Sequence, residues 1–168
     1  MKNETTAINF DQEADMLYPT LNKVEELLKE YQMVPVFYEV LADYMTPIRM
    51  FQALRKEGTP CFMLESVENK DQWGRYSFIG INPKSEIKIS GKELEVDGVK
   101  QEEEFKMSYL SDLIKKYKSP VMEDYPKLTG GLIGYFGYDM IRQVEKKLTN
   151  VPENDLKMPE CHLCMYDE

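Results

Sequence analysis

The sequence predicts an α+β fold in which mixed or antiparallel β-sheets are flanked by helices. Apolar strand-like segments are interleaved with segments of helical spacing, without a regular alternation of strand and crossover helix. Two of the strand-like segments are joined by a tight turn, which indicates a local hairpin. The chain has 168 residues, of which 42% are hydrophobic, and this is enough to bury the core of one domain.

Four segments have the apolar spacing of helices that cover a core on one face. Residues 20–31 form the first. The second is the clearest, because Thr46 is a suitable N-cap before a proline and Gly58 is expected to stop the helix. The third is expected to begin at Ser108 as its N-cap, and the fourth covers residues 138–148.

The strand-like segments are residues 36–41, 61–64, 76–80, 86–90, 93–97, 132–136 and 163–166. The hairpin joins 86–90 to 93–97 and turns at Gly91 and Lys92. Segments 61–64 and 132–136 are continuous apolar runs, which indicates buried strands. The last segment begins like a strand and then stops, which suggests that the chain is cut within a larger domain.

The net charge of −9 argues against a nucleic-acid partner, because a phosphate backbone would be repelled. Residues 1–10 contain no apolar run, so neither a signal peptide nor a membrane anchor is indicated, and no later segment reaches spanning length. We therefore expect a cytoplasmic protein with no membrane partner.

The cysteines Cys61, Cys161 and Cys164 form an odd set that is not typical of a secreted disulfide framework. The spacing from Cys161 to Cys164 is half of a zinc motif, and a closed four-ligand site would also need Cys61 and His162, the one histidine of the chain. The favoured interpretation is that a terminal strand carries two small buried thiols. We expect no metal and no cofactor in this chain.

The glycine-rich stretch 130–139 lacks the lysine and hydroxyl residue of a P-loop and the glycine spacing of a dinucleotide-binding loop. Glycines within an apolar strand more often permit a close backbone approach or a kink, and this is the interpretation we prefer. His162 has no neighbouring nucleophile motif, and the acidic run 102–104 is typical of a solvated surface. The sequence therefore yields no catalytic residue.

The end of the segment 61–64 offers complementary groups for a free amino acid. The Glu65 carboxylate suits an α-ammonium group, and the Ser66 hydroxyl with nearby backbone N–H groups can donate to an α-carboxylate. Flanking apolar residues such as Leu64 can enclose a large side chain. Spacing alone leaves open that this is only a strand end exposed to water.

Three motifs in order resemble the anthranilate synthase large subunit (component I): FMLES at 62–66, GRYSFIG at 74–80 and GGLIGYFGYD at 130–139. VFYE at 36–39 and the helix that begins at Thr46 resemble that family too, so the similarity covers about residues 20–168. It divides the chain into an N-terminal extension, 1–19, expected to be mobile, and an effector-binding N-terminal domain, 20–168. The resemblance implies that this domain is part of a larger two-domain α/β sandwich.

The resemblance also implies a role in tryptophan biosynthesis, where the large subunit converts chorismate to anthranilate with ammonia from a glutamine amidotransferase subunit (component II). L-Tryptophan is the feedback inhibitor, and the matching pocket residues are Leu64, Glu65 and Ser66. Met63 stands where the family usually has a second leucine, a volume-conserving change.

In the family, the chorismate site, the Mg²⁺ ligands and the catalytic histidine lie in a C-terminal domain that also completes the tryptophan pocket. We therefore expect this chain to be inactive alone. Two alternatives remain open: the large subunit of aminodeoxychorismate synthase, in the folate branch, and a small-molecule-binding or interaction module that never had a catalytic domain.

Overall fold

The structure is a computed structural model that describes residues 17–65, 76–123, 125–126, 128–145, 147–148 and 154–167. In chain order the elements are β1 (Leu17–Tyr18), α1 (Leu21–Leu27), β2 (Phe37–Tyr38), α2 (Pro47–Leu54), β3 (Phe62–Glu65), β4 (Ser77–Gly80), β5 (Ser85–Ser90), β6 (Glu93–Val96), β7 (Val99–Lys100), α3 (Met107–Lys116), β8 (Gly131–Phe136), a 3₁₀ helix (Tyr138–Gln143) and β9 (Cys161–Tyr166). Helices and antiparallel sheets confirm the α+β class.

The main sheet has five strands in the order β7-β6-β5-β9-β8, and every neighbouring pair is antiparallel. The predicted hairpin is confirmed: Ser90 pairs with Glu93, and Gly91 between them has a positive φ of 57°. Strand β9 lies inside the sheet, between β5 and β8. It is the most buried strand among the described residues, because five of its six residues are buried.

The core lies against one face of this sheet, because residues that pair across antiparallel strands share a face. Ile87, Ile89 and Leu163 are almost fully buried there. Leu110 of α3 and Met140 of the 3₁₀ helix cover them from the other side. The period-two alternation of β5 and β9 therefore leaves a second, polar face with Glu86, Lys88, His162 and Cys164.

The helices are shorter than predicted. Helix α2 begins as expected, with Thr46 Oγ1 accepting a hydrogen bond from the Arg49 N–H at 3.3 Å, but it ends at Leu54 rather than near Gly58. Gly58 instead adopts a positive φ of 75° in the turn that follows. Ser108 was expected to cap α3, but Lys106 occupies the N-cap position. Residues 138–143 form a 3₁₀ helix in place of the first part of an α-helix.

Two strands predicted to be buried are not. β3 is half-buried at Phe62 and Met63 and exposed at Leu64 and Glu65. β8 contains only half-buried and exposed residues, because it lies at the edge of the sheet.

The first two strands pair with each other across the boundary predicted at residues 19 and 20. Tyr18 pairs with Phe37, and Tyr125 stacks on both rings at centroid distances of 4.9 and 3.9 Å. Residues 1–16 lie outside the described part of the chain, so the N-terminal extension stays a prediction. None of the described helices has the length and apolar character that crossing a bilayer requires.

Candidate functional site

Strands β3 and β4 form a two-stranded antiparallel ribbon that presents two of the predicted site residues at its end. Leu64 pairs with Phe78, and Glu65 pairs with Ser77. Successive residues of a strand point to opposite faces, so Leu64 shares a face with Phe78 while Glu65 shares the other with Ser77. Ser66, the third predicted residue, lies outside the described residues.

The ribbon is held to the main sheet by aromatic packing. The Phe62 ring lies edge-on to the ring of Tyr166 at the end of β9, with centroids 4.8 Å apart. Gly80, opposite Phe62, is buried against that ring, and a Cβ atom at Gly80 would overlap it. The absence of a side chain at Gly80 therefore lets β4 lie close to the Phe62 ring, which holds β3 against Tyr166.

Leu64 and Glu65, the two described residues of the predicted site, are accessible. Glu65 is exposed, and no Lys, Arg or His side chain in the described ranges forms an ion pair with it. Leu64 is 45% exposed beside the rings of Tyr76 and Phe78, whose centroids are 6.0 Å apart. The strand end thus offers a carboxylate on one face and an apolar, aromatic surface on the other.

Sequence reasoning missed Ser77. This residue is exposed and pairs with Glu65 across the ribbon. The sequence does contain two strand-like segments, and an antiparallel pairing of residues 62–65 with 77–80 places Glu65 opposite Ser77. The register could not be read from the chain, because the connection is long and carries no tight-turn motif.

A cavity of about 300 Å³ lies elsewhere, between α3 and the β8–β9 edge. Its walls are mostly apolar and include Leu113, Ile114, Leu132 and Met165. Neither Leu64 nor Glu65 lines it. It is therefore separate from the predicted effector site.

The glycine-rich strand β8 has the structural role expected of it. A Cβ atom at Gly134 would overlap the backbone carbonyl of His162, and one at Gly137 would lie 2.9 Å from the carbonyl oxygen of Glu160. Gly130 has a φ of 132°, close to the Tyr166 carbonyl. Close backbone approach explains these glycines.

The thiols of β9 lie on opposite faces of the strand. Cys161 is buried in the core, and burial raises the pKa of its thiol to about 11. Cys164 is 5% exposed on the polar face, where burial and then the charge of Glu86 raise the pKa of its thiol. The interpretation as two buried thiols is confirmed. The four-ligand set of three cysteines and His162 is not assembled, because Cys161 points away from His162.

His162 is part of a polar cluster instead. Its Nε2 atom lies 2.7 Å from Oε1 of Glu86 and 3.8 Å from Sγ of Cys164. Lys88 Nζ lies 3.1 Å from the same Glu86 oxygen. Burial raises the pKa of Glu86, but hydrogen bonds from Lys88 and His162 and the positive charge of Lys88 outweigh it, so the pKa is lowered.

Comparison with known proteins gives one consistent family name. No protein-family model matches the chain. Anthranilate synthase component 1 of Acetivibrio thermocellus is 41% identical over 163 residues, which cover 91% of this chain and 31% of that protein. The same-named protein of Pseudomonas aeruginosa is 33% identical over 82% of this chain and 29% of its own length. Anthranilate synthase alpha subunit 2 of Arabidopsis thaliana is 32% identical over 92% of this chain and 27% of its own length.

A solved structure of anthranilate synthase component I from Streptococcus pneumoniae TIGR4 aligns with 77% of this chain and 28% of its own, at 26% identity and a TM-score of 0.47. The chain spans about 31% of the length of the relative from Acetivibrio thermocellus. Sequence identity of 41% over 91% of the chain carries the family assignment. The chain belongs to the anthranilate synthase component I family.

Proposed function

We propose that this chain is the effector-binding, N-terminal part of an anthranilate synthase component I and that it binds L-tryptophan as feedback inhibitor at the end of β3. The observation that carries the proposal is the exposed Glu65 carboxylate, which has no cationic partner within the described part of the chain and lies beside the exposed Leu64. The relatives named anthranilate synthase component 1 support the tryptophan pathway over the folate branch.

The chemistry of the strand end fits an aromatic amino acid. Glu65 accepts charge-assisted hydrogen bonds from the α-ammonium group, which are stronger than neutral ones. Leu64, with Tyr76 and Phe78 on the same face, supplies apolar surface for the indole ring. Ser66 donates to the α-carboxylate. Since Leu64 and Glu65 lie on opposite faces, the ligand must sit across the strand end to touch both.

The whole protein's activity belongs to the same proposal. It is a lyase that converts chorismate and ammonia to anthranilate and pyruvate, and a glutamine amidotransferase subunit (component II) supplies the ammonia. Catalysis and Mg²⁺ binding are assigned to the part of the relatives that this chain does not match, and no described residue is assigned to them. Tryptophan inhibits by binding one arrangement of the domains better than the closed, active one.

Thermal melting of the chain with L-tryptophan tests the proposal, with L-phenylalanine and L-tyrosine as controls. A ligand that binds only the native state at a concentration of 100 Kd stabilises it by about 2.7 kcal/mol. For a chain of this size that raises Tm by roughly 5–11 °C. We expect a selective rise with tryptophan.

Glu65→Gln should weaken tryptophan binding by about 10- to 100-fold, the equivalent of one lost hydrogen bond to a charged group. Glu103→Gln removes an exposed carboxylate from another surface and should have no effect. Ile114→Ala changes the wall of the separate cavity and should also leave binding intact.

In the full-length enzyme, Ser66→Ala should weaken inhibition by tryptophan while anthranilate production continues. Product analysis with chorismate and ammonia separates anthranilate from aminodeoxychorismate. An unaltered Tm of the chain, together with unchanged inhibition in the Ser66→Ala enzyme, would refute the tryptophan site.

A further inference from the structure

The polar face of the main sheet brings together three side chains that the sequence keeps far apart. Glu86 on β5 pairs directly with Cys164 on β9, and His162 precedes Cys164 by two residues on the same face. The carboxylate oxygen, imidazole nitrogen and thiol sulfur all lie within 4.8 Å of one another. A carboxylate, an imidazole and a thiolate are the three ligand types that zinc binds in proteins.

The distances in the cluster are close to those that a tetrahedral ion imposes. Bonds of about 2.0–2.3 Å place two ligand atoms roughly 3.3–3.7 Å apart across the metal. Cys164 Sγ and His162 Nε2 are already 3.8 Å apart. The oxygen of Glu86 is 2.7 Å from Nε2 and no more than 4.8 Å from Sγ, and rotation of the Glu86 side chain can adjust both distances.

We propose that Glu86, His162 and Cys164 form a three-ligand site for Zn²⁺, with a water molecule or another small ligand in the fourth position. This site goes beyond the proposed tryptophan function and shares no residue with it. The side chains of His162 and Glu86 are 27% and 30% exposed, so an ion can enter from solvent. The backbones that carry the ligands are paired within the interior of the sheet, so the site is pre-organised.

Two groups set the conditions for binding. The Cys164 thiol must lose its proton to solvent when the ion binds, because the thiolate is the form that ligates a metal. The Lys88 ammonium occupies the same oxygen of Glu86, at 3.1 Å, and also lies 3.8 Å from Glu95. The ion must therefore displace Lys88 from Glu86, and Glu95 is placed to hold the released ammonium.

Cobalt substitution tests the site in the reduced chain. Co²⁺ added to the protein should give a thiolate-to-metal charge-transfer absorption and the intense visible bands of a four-coordinate ion. Added Zn²⁺ should abolish both, and a chromophoric chelator in competition gives the Zn²⁺ affinity. The same titration at rising pH should show tighter binding.

The variants separate this site from other thiols. Cys164→Ser should remove the charge-transfer band, and His162→Gln or Glu86→Gln should weaken Zn²⁺ binding by at least about tenfold, because even loss of an outer-shell partner costs about 10- to 100-fold. Cys61→Ser is the matched control, because this thiol lies outside the cluster and should leave the band unchanged. Lys88→Gln should tighten binding.

The outcomes are distinct. Absence of a charge-transfer band, or a band that survives Cys164→Ser, would overturn the proposal. Equal Zn²⁺ affinity in the original chain and in the His162→Gln and Glu86→Gln variants would also overturn it, and both variants change side chains that are partly exposed. Failure of tryptophan binding would leave these results unaffected, because Glu65 is not part of the cluster.

Discussion

Gly134→Ala should destabilise the chain strongly, although it adds a single methyl group. The new Cβ atom would overlap the carbonyl oxygen of His162 and lie 2.9 Å from the Cα atom of Leu163. These are backbone atoms of β9, which hydrogen bonds on both sides hold in place, so no side-chain rotation relieves the clash. Strands β8 and β9 must separate locally instead.

The size of the effect follows from that geometry. Overpacking typically costs about 1–3 kcal/mol, and a clash with backbone atoms that cannot move aside places this case near 3 kcal/mol. For a chain of this size, such a loss lowers Tm by about 6–12 °C. The loss in free energy of unfolding is measured by urea unfolding followed by circular dichroism. Val99→Ala, at a 63% exposed position on edge strand β7, is the control and should stay within about 0.5 kcal/mol. A Gly134→Ala chain as stable as the original would refute the close-approach argument.

Two further predictions concern titratable groups. The pKa of Glu86 in the folded chain lies below its ordinary value of 4.5. The ionised carboxylate therefore contributes its full share to the stability of the fold above about pH 4.5, and this contribution is lost as the pH falls through the folded pKa. Glu86→Gln should therefore cost about 1 kcal/mol at pH 7 and nothing at strongly acidic pH, measured by urea unfolding across the range; a pH-independent difference would contradict this. At pH 8 under native conditions, a thiol reagent should modify the half-buried Cys61 well before Cys161, whose thiol is fully buried and has a pKa of about 11. Equal rates in peptide mapping would contradict the burial assigned to β9.

The parts of the fold that local chemistry determines were predicted well. The hairpin of β5 and β6 needs only a glycine with positive φ between two alternating segments, and Gly91 provides it. The start of α2 needs only Thr46 and a proline, and the cap forms. The end of α2 depends on which residues the rest of the chain covers, and helical spacing could not place it.

Burial of strands was predicted less well, because it depends on position in the sheet rather than on apolar content. β8 and β9 are both apolar in sequence, yet β9 is interior and β8 is an edge strand. The order of strands is a long-range property, and no local pattern of residues 131–136 encodes it. The same reason hid the cluster of Glu86 with His162, which are 76 residues apart.

The two proposed sites are joined by a short physical path. Phe62 on β3 packs against Tyr166 on β9, and Tyr166 is two residues from Cys164 on the same face. A ligand at the end of β3 and an ion between β5 and β9 therefore act on neighbouring parts of one aromatic contact. A chain of contacts does not by itself make the two sites allosteric. Allostery also requires that the Phe62–Tyr166 contact has two arrangements and that each ligand binds better to one of them. Linkage makes the requirement quantitative: the factor by which tryptophan changes the Zn²⁺ affinity must equal the factor by which Zn²⁺ changes the tryptophan affinity. A factor that differs from one would show that the two sites are coupled, whereas a factor of one in both titrations would show two independent sites on the same sheet system.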